Sequence, residues 1–314
     1  MSTAFLFPGQ GSQTVGMGYT LFERFPEARE RFEQAAAMME DTVDLLALMF
    51  GTQHSGAAAE EALKQTEVTQ PALYTHSLAA MAVLDAHGHT PDMVAGHSLG
   101  EYSALAAAGA LSFEDGLRVV RRRGELMAEA GTRRPGAMAA VLGADNDAIE
   151  AVCTDVSSDG DGVVQPANYN APGQVVISGD VKAVDRASNE IAGRVIPLPV
   201  SGAFHSPLMA YAREGLAETL DAVALNEPRC PVYLNVTGAP TTDPEAIREA
   251  LIDQLLSPVR WAQTLERMHA DGASRFVEVG AGNVLRGLVK RTLGRDVERV
   301  AAGTADDLEA LAGA

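Results

Sequence analysis

The residues best suited to covalent chemistry form one pentapeptide, Gly96-His97-Ser98-Leu99-Gly100. The apolar run Met93-Val94-Ala95 precedes it and an alanine-rich segment follows, an order that predicts a strand, a sharp turn and a helix. In such a turn the serine hydroxyl is exposed, and the flanking glycines avoid the clashes that Cβ atoms would cause. The first N–H groups of the helix face charge that develops on an attacked carbonyl. The order of elements disfavours a chance match, and Ser98 is predicted to be an acyl-transfer nucleophile.

A serine nucleophile needs a general base, and His205 is the histidine best placed by its sequence context. It lies in Phe204-His205-Ser206-Pro207, just after a region of changed composition. His97, inside the pentapeptide, is expected to pack beside the turn. The remaining histidines lie in polar loops or on predicted helices: His54, His76, His87, His89 and His269. No Asp or Glu near His205 is evident as the third member of a triad, so the sequence predicts only the Ser98–His205 pair.

The elements that must position these residues predict an α/β fold in two parts. Apolar strands at 5–7, 93–95, 232–236 and 275–279 alternate with helices, which is typical of a parallel sheet. Between 131 and 200 short segments follow the order βαββαβ, which is ferredoxin-like. We therefore expect an α/β-hydrolase-like large subdomain with a parallel sheet, formed by residues 1–130 and 201–314. An inserted ferredoxin-like small subdomain is expected at 131–200.

Two details of this fold are also predicted. A helix over 113–130 begins with Ser112 as its N-cap and is expected to end at Gly131. Little order is expected after Ala302.

The composition excludes several classes of function. The net charge of −18 over 314 residues argues against binding to nucleic acid or anionic membranes, since both need a basic surface. No apolar run approaches the roughly 18 residues of a membrane span, and the first residues carry no basic leader. Cys153 and Cys230 lack metal-ligand spacing and fit a reducing compartment. We therefore expect a cytoplasmic, monomeric protein without a bound metal.

Six segments in this order resemble malonyl-CoA:acyl carrier protein transacylases and the acyltransferase domains of polyketide synthases. The resemblance covers roughly residues 3 to 300. The segments are Phe7-Pro8-Gly9-Gln10-Gly11-Ser12-Gln13, the stretch 96–102, Arg123-Gly124, Asn170-Ala171-Pro172-Gly173-Gln174, Phe204-His205-Ser206 and Ser257-Pro258-Val259-Arg260-Trp261.

The resemblance implies a role for each matching residue. Ser98 and His205 would work as a dyad, with the imidazole held by the backbone carbonyl of Gln254, which accounts for the missing acid. The backbone N–H groups of Gln10 and Leu99 would form the oxyanion hole.

The same resemblance implies that Arg123 grips the malonyl carboxylate through two parallel hydrogen bonds. An esterase or thioesterase would gain nothing from the cost of burying that cation, so Arg123 favours a substrate that carries a carboxylate. Phe204 resembles the residue that marks malonyl over methylmalonyl preference. Asn168 and Asn170 are expected to line the cleft.

The activity implied is transfer of the malonyl group from malonyl-CoA to the phosphopantetheine thiol of acyl carrier protein, for fatty acid biosynthesis. The expected mechanism is ping-pong through a malonyl-Ser98 ester, with no bound cofactor and with the carrier as a transient partner. Carriers are acidic, so Arg286, Lys290 and Arg291 on one predicted helix are candidates for docking, although a solvated helix face explains them equally well. The alternatives are an acyltransferase of polyketide synthesis or malonate decarboxylase, a serine esterase or thioesterase, and a non-catalytic binding module.

Overall fold

The computed structural model describes residues 2–52, 56–160, 162–200 and 202–313. His54 lies outside these ranges, and so does Ser201, the residue at which the second part of the predicted large subdomain begins.

Ten strands and fourteen α-helices lie within the described ranges, and five consecutive helices separate the first two strands. The strands are β1 Ser2–Phe7, β2 Met93–Gly96, β3 Gly136–Leu142, β4 Val164–Ala171, β5 Gln174–Asp180, β6 Arg194–Pro197, β7 Val232–Tyr233, β8 Pro240–Thr241, β9 Ala273–Val279 and β10 Glu298–Ala302. The helices are α1 Tyr19–Arg24, α2 Pro26–Met39, α3 Leu45–Phe50, α4 Ala57–Lys64, α5 Thr66–Ala86, α6 Gly100–Ala107, α7 Phe113–Arg133, α8 Asn146–Ser158, α9 Val181–Glu190, α10 Ala210–Asp221, α11 Pro244–Gln254, α12 Trp261–Ala270, α13 Val284–Leu293 and α14 Ala305–Ala312.

The larger sheet has the strand order β10-β9-β1-β2-β7-β8, and its pairs are parallel except for β7 with β8. Because parallel strands end at the same edge, the segments that follow β1, β2 and β7 meet there. These segments carry Gln10, Ser98 and Asn235. The parallel sheet therefore brings together residues that are far apart in the chain.

The smaller sheet has the order β4-β5-β3-β6 and is antiparallel throughout. With α8 and α9 packed on it, this is the βαββαβ arrangement of a ferredoxin-like fold. The predicted fold class is confirmed. The assignment of 131–200 as a separate subdomain stays a prediction.

Helix α5 lies at the centre of the main core and is buried along most of its length. Helix α7 packs closely against it because α7 presents glycines at the contact. A Cβ atom on Gly124 would lie 2.8 Å from Glu67 Cα, and one on Gly116 would lie 2.0 Å from the Tyr74 hydroxyl. This close packing sets the position of Arg123, the neighbour of Gly124.

Three details differ from the sequence predictions. Helix α7 does not end at Gly131 but continues to Arg133, because Gly131 is buried and packing outweighs the weak helix propensity of glycine. The segment after Ala302 is ordered: Thr304 and Asp307 form a capping box that begins α14. Strand β7 has only two residues, after which the chain leaves the sheet. The Ser112 N-cap of α7 is confirmed, since its hydroxyl accepts from Asp115 N at 3.0 Å.

Among the described helices none is both long and apolar enough to cross a bilayer.

Candidate active site

Ser98 lies in a strained turn between β2 and α6. Its φ angle is +51°, in the left-handed region that residues with a side chain rarely adopt. A Cβ atom on Gly96 would lie 1.9 Å from the main chain of Gly100, and one on Gly100 would lie 2.0 Å from Phe7 O. The two glycines therefore allow the turn to fold against β1, and the turn leaves the serine hydroxyl on the wall of a cleft.

The Ser98 hydroxyl is paired with a neutral imidazole. Ser98 Oγ is 2.8 Å from His205 Nε2, and His205 Nδ1 is 2.8 Å from the main-chain oxygen of Gln254. A carbonyl oxygen only accepts, so Nδ1 carries the proton and Nε2 is free to accept from Ser98. Burial, with help from the nearby Arg123 charge, lowers the pKa of His205 to about 3. At neutral pH the imidazole is thus unprotonated and able to act as a base.

His205 is itself held in a left-handed conformation, with φ +56°. Gln165, on β4 of the smaller sheet, donates from Nε2 to His205 O at 2.9 Å and to Leu256 O at 3.0 Å. A side chain of the smaller sheet thus holds the main chain of the base. Sequence reasoning missed it, and no local pattern in its strand distinguishes it from any other polar strand residue.

Arg123 is fully buried next to the serine. It donates from Nη1 to Gln70 Oε1 at 2.8 Å, and from Nη2 to Gln254 Oε1 at 2.9 Å and to Ser98 Oγ at 3.3 Å. A guanidinium carries five N–H groups, so donors remain, and Arg123 Nε has no partner among the described residues. Burial lowers the pKa of Arg123 from its ordinary value, but arginine stays charged at neutral pH.

The Gln70 contact was also missed by sequence reasoning. Gln70 Nε2 donates to Thr66 Oγ1 at 3.0 Å, which turns Gln70 Oε1 toward Arg123. Thr66 in turn donates to Gln10 Oε1 at 3.2 Å. The start of α5 therefore fixes both the arginine and the loop that follows β1.

Behind the serine lies a buried polar cluster of Glu101, Asn235 and Gln254, each fully buried. Gln254 Nε2 donates to Glu101 Oε2 at 2.6 Å, and Asn235 N donates to the same oxygen at 3.3 Å. Burial raises the pKa of Glu101 to about 7. One signal could have identified Glu101: it is the only charged residue among the small and apolar residues from 99 to 110.

The cleft has a volume of about 430 Å³ and is bounded by residues of both sheets. Its polar lining includes Gln10, Ser98, Asn168 and His205, and its apolar lining includes Phe204, Met127, Met138, Leu198 and Val200. Leu99 is buried at the start of α6. Of the residues predicted to line the cleft, Asn168 and Phe204 therefore do so.

Asn170 contacts the histidine of the Ser98 turn. Its Oδ1 accepts a hydrogen bond from His97 Nε2 at 2.8 Å, and the His97 ring also packs edge-on against Trp261. His97 itself lines the cleft. Asn170 thus orients the His97 ring, and its own place in the cleft lining stays a prediction.

The three basic residues predicted to dock a carrier lie on α13. Lys290 and Arg291 are exposed, and Arg291 donates to Gln174 of β5. Arg286 is half-buried with Nε 3.4 Å from Glu278 Oε2. The exposed positive charge of this helix is therefore at its C-terminal end.

Comparison with known proteins relates this geometry to one family. Residues 4–308 match the acyl transferase domain family. The chain is 46% identical over 310 residues to the malonyl CoA-acyl carrier protein transacylase of Bacillus subtilis, covering 98% of this chain and 95% of that protein. A transacylase of the same name from Staphylococcus aureus is 42% identical over 311 residues, covering 98% and 97%.

Solved structures show the same likeness. The acyl carrier protein S-malonyltransferase of Vibrio cholerae superposes with a TM-score of 0.91 at 42% identity, covering 99% of this chain and all of that one. A malonyl-transacylase solved in complex with a type II polyketide acyl-carrier protein superposes with a TM-score of 0.91 at 38% identity, covering 100% and 99%.

Proposed function

The chain belongs to the acyl transferase family, and within it to the malonyl-CoA:acyl carrier protein transacylases, and from this premise we propose that it moves malonyl groups from malonyl-CoA to an acyl carrier protein. The observation that carries the proposal is the double contact of Ser98 Oγ, with His205 Nε2 at 2.8 Å and with Arg123 Nη2 at 3.3 Å. A nucleophile, a neutral base and a buried cation then share one end of the cleft.

In the first half-reaction Ser98 Oγ attacks the thioester carbonyl of malonyl-CoA while its proton passes to His205 Nε2. The C–O bond forms, and the carbonyl oxygen becomes an oxyanion that the main-chain N–H groups of Gln10 and Leu99 stabilise. The oxyanion then collapses, the C–S bond breaks, and CoA leaves with the proton from His205. The product is a malonyl-Ser98 ester.

The second half-reaction reverses these steps with a different thiol. The phosphopantetheine thiol of the carrier gives its proton to His205, and the sulfur attacks the malonyl ester. The Ser98 oxygen leaves and regains the proton. The imidazole needs no carboxylate because the Gln254 carbonyl already fixes its tautomer through the 2.8 Å contact with Nδ1.

Arg123 selects acyl groups that end in a carboxylate. Arg123 is a fully buried cation that donates to two neutral amides, and among the described residues no carboxylate forms an ion pair with it. The malonyl carboxylate supplies an anion through two parallel hydrogen bonds. Phe204, on the cleft wall, occupies space that an α-methyl group would need and so favours malonyl over methylmalonyl.

We assign the remaining parts of the site in the same way. The large subdomain, 1–130 and 201–314, carries Ser98, His205 and Arg123, and the 131–200 subdomain closes the cleft with Asn168. The exposed end of α13, Lys290 and Arg291 with Arg286 nearby, receives the acidic carrier. The protein acts as a monomer in the cytoplasm, with no bound cofactor.

The pathway we propose is fatty acid biosynthesis. Its support is the likeness to the malonyl CoA-acyl carrier protein transacylases of Bacillus subtilis and Staphylococcus aureus. A polyketide pathway is the second candidate. It is favoured by one observation, the structural relative in complex with a type II polyketide carrier.

The test is intact-protein mass spectrometry. Incubation with malonyl-CoA is expected to add one malonyl group, and addition of holo acyl carrier protein is expected to remove it and leave malonyl-carrier. Ser98→Ala serves as the control and stays unmodified. Carriers of the fatty acid and type II polyketide kinds, compared at equal concentration, separate the two pathways. Absence of the adduct, or release by water as fast without a carrier, would contradict transacylation and favour an esterase.

A further inference from the structure

The Ser98 main chain is held on both sides by side-chain amides. Ser98 N donates to Asn235 Oδ1 at 2.7 Å, and Gln254 Nε2 donates to Ser98 O at 3.1 Å. The φ of +51° at Ser98 is unfavourable for a residue with a Cβ atom and persists only where the surroundings enforce it. These two amides, from segments 137 and 156 positions away, are therefore part of what keeps the turn in place.

Each amide works only in one orientation. Gln254 must direct Nε2 to Ser98 O and Oε1 to Arg123 Nη2, since a reversed amide would place donors against the guanidinium. Asn235 must direct Oδ1 to Ser98 N, and its Nδ2 donates to Gly96 O at 2.7 Å. A single group that accepts from Gln254 Nε2 and from the Asn235 main-chain N–H would fix the orientation of the Gln254 amide and the position of Asn235.

Glu101 is that group. Its Oε2 accepts from Gln254 Nε2 at 2.6 Å and from Asn235 N at 3.3 Å, and its side chain is fully buried. It lies three residues after Ser98, on the first turn of α6, the helix that directly follows the serine turn. The acceptor thus joins the turn to the two distant segments that hold it.

We infer that Glu101 is a positioning residue: it orients the Gln254 amide and the Asn235 main chain, and through them fixes the Ser98 turn and the Gln254 carbonyl that holds His205. This inference rests on the proposed function, because it concerns the rate at which Ser98 is malonylated. It assigns Glu101 no contact with substrate and no proton transfer. What matters is an acceptor oxygen at the correct distance, and not the negative charge.

Two conservative variants separate the position of the acceptor oxygen of residue 101 from its negative charge. Glu101→Gln keeps the length and one acceptor oxygen but removes the charge, whereas Glu101→Asp keeps the charge and shortens the side chain by one methylene. The Gln variant is expected to acylate within about threefold of the wild-type rate, and the Asp variant is expected to lose about tenfold or more. A role for the negative charge predicts the opposite order.

The measurement is the single-turnover rate of Ser98 malonylation with malonyl-CoA, followed by quenched mass spectrometry. Affinity for malonyl-CoA is measured separately in a Ser98→Ala background, because Gln254 also accepts from Arg123 and a change in carboxylate binding must be separated from a change in the acylation rate. Glu278→Asp is the matched control, since Glu278, like Glu101, is a buried carboxylate with two hydrogen-bond donors. The donors to Glu278 are the main-chain N–H groups of Leu285 at 2.9 Å and Arg286 at 3.0 Å. That variant is expected to lower the unfolding temperature without changing the acylation rate.

A folded Asp variant that acylates like the wild type would overturn the inference, and so would a folded Gln variant that loses the activity. If the Asp variant does not fold, Asn235→Ala is used in its place. It removes the contact of Asn235 Oδ1 with Ser98 N, through which Glu101 acts on the turn. Normal acylation in this variant would also overturn the inference. Failure of the wild-type protein to take up malonyl would instead refute the proposed function. The two failures are therefore distinct.

Discussion

Replacement of Arg123 by alanine tests the assignment of the substrate carboxylate most directly. Two charge-assisted hydrogen bonds would be lost from the bound malonyl group, and each bond to a charged group contributes about 1.5–3 kcal/mol. The sum is about 3–6 kcal/mol, and each 1.4 kcal/mol is a factor of about ten. We therefore expect kcat/KM for malonyl-CoA to fall by about 10²–10⁴.

Acetyl-CoA provides the internal reference because acetyl has no carboxylate. The substitution also leaves Gln70 Oε1 and Gln254 Oε1 without the donor that each now contacts. Since Gln254 also holds Ser98 and His205, acylation by either substrate can slow in the variant. The decisive quantity is consequently the ratio of malonyl to acetyl acylation, which is expected to fall by the same 10²–10⁴.

The assay compares single-turnover acylation of Ser98 by the two thioesters, read by intact mass. Arg122→Ala is the matched control: it lies beside Arg123 on α7, but its side chain is 46% exposed and pairs with Glu125. Its malonyl-to-acetyl ratio is expected to stay at the wild-type value. A folded Arg123→Ala protein whose ratio changes by less than about threefold would refute the carboxylate assignment.

Two further predictions concern stability and docking. Burial lowers the pKa of His76 from 6.5 to about 4 in the folded protein. As the pH falls below 6.5, the unfolded chain therefore binds a proton at this site before the folded chain does. The folded state is thus destabilised progressively between pH 6.5 and pH 4. Between pH 7 and pH 5 this site is expected to lower the free energy of unfolding by about 2 kcal/mol. The free energy of unfolding of His76→Gln, measured with urea, should lack this part of the pH dependence. If the wild type and the variant show the same change in unfolding free energy with pH, the prediction is contradicted. Lys290→Glu is expected to raise the KM for acyl carrier protein several-fold without changing that for malonyl-CoA, because it reverses an exposed charge on α13. The exposed Lys182 on α9 gives the control Lys182→Glu, and an unchanged carrier KM in both variants would exclude α13 as the docking surface.

The local chemistry of the site could be predicted from the sequence because it depends on residues that are close together in the chain. The glycines around Ser98 are needed by the turn itself, as the 1.9 Å and 2.0 Å approaches of their would-be Cβ atoms show. The order of apolar segments likewise predicted a parallel sheet and a βαββαβ unit, since each strand and helix is recognised by its own period. The meeting of Ser98, His205 and Arg123 followed from the family resemblance, and the structure brings the three together.

The partners that hold these residues depended on the tertiary structure alone. Gln70, Gln165 and Asn235 carry no motif, and Glu101 is marked only as the one charged residue from 99 to 110. The importance of all four comes from burial and from contacts across 40 to 137 positions of chain. Tertiary packing also explains the error at Gly131, where burial outweighs the weak helix propensity of glycine. The error after Ala302 has a different cause, since α14 begins with a local capping box of Thr304 and Asp307 that the sequence prediction overlooked. A sequence pattern identifies groups that can react, whereas the orientation of an amide or the pKa of a buried histidine depends on neighbours that only the folded chain supplies.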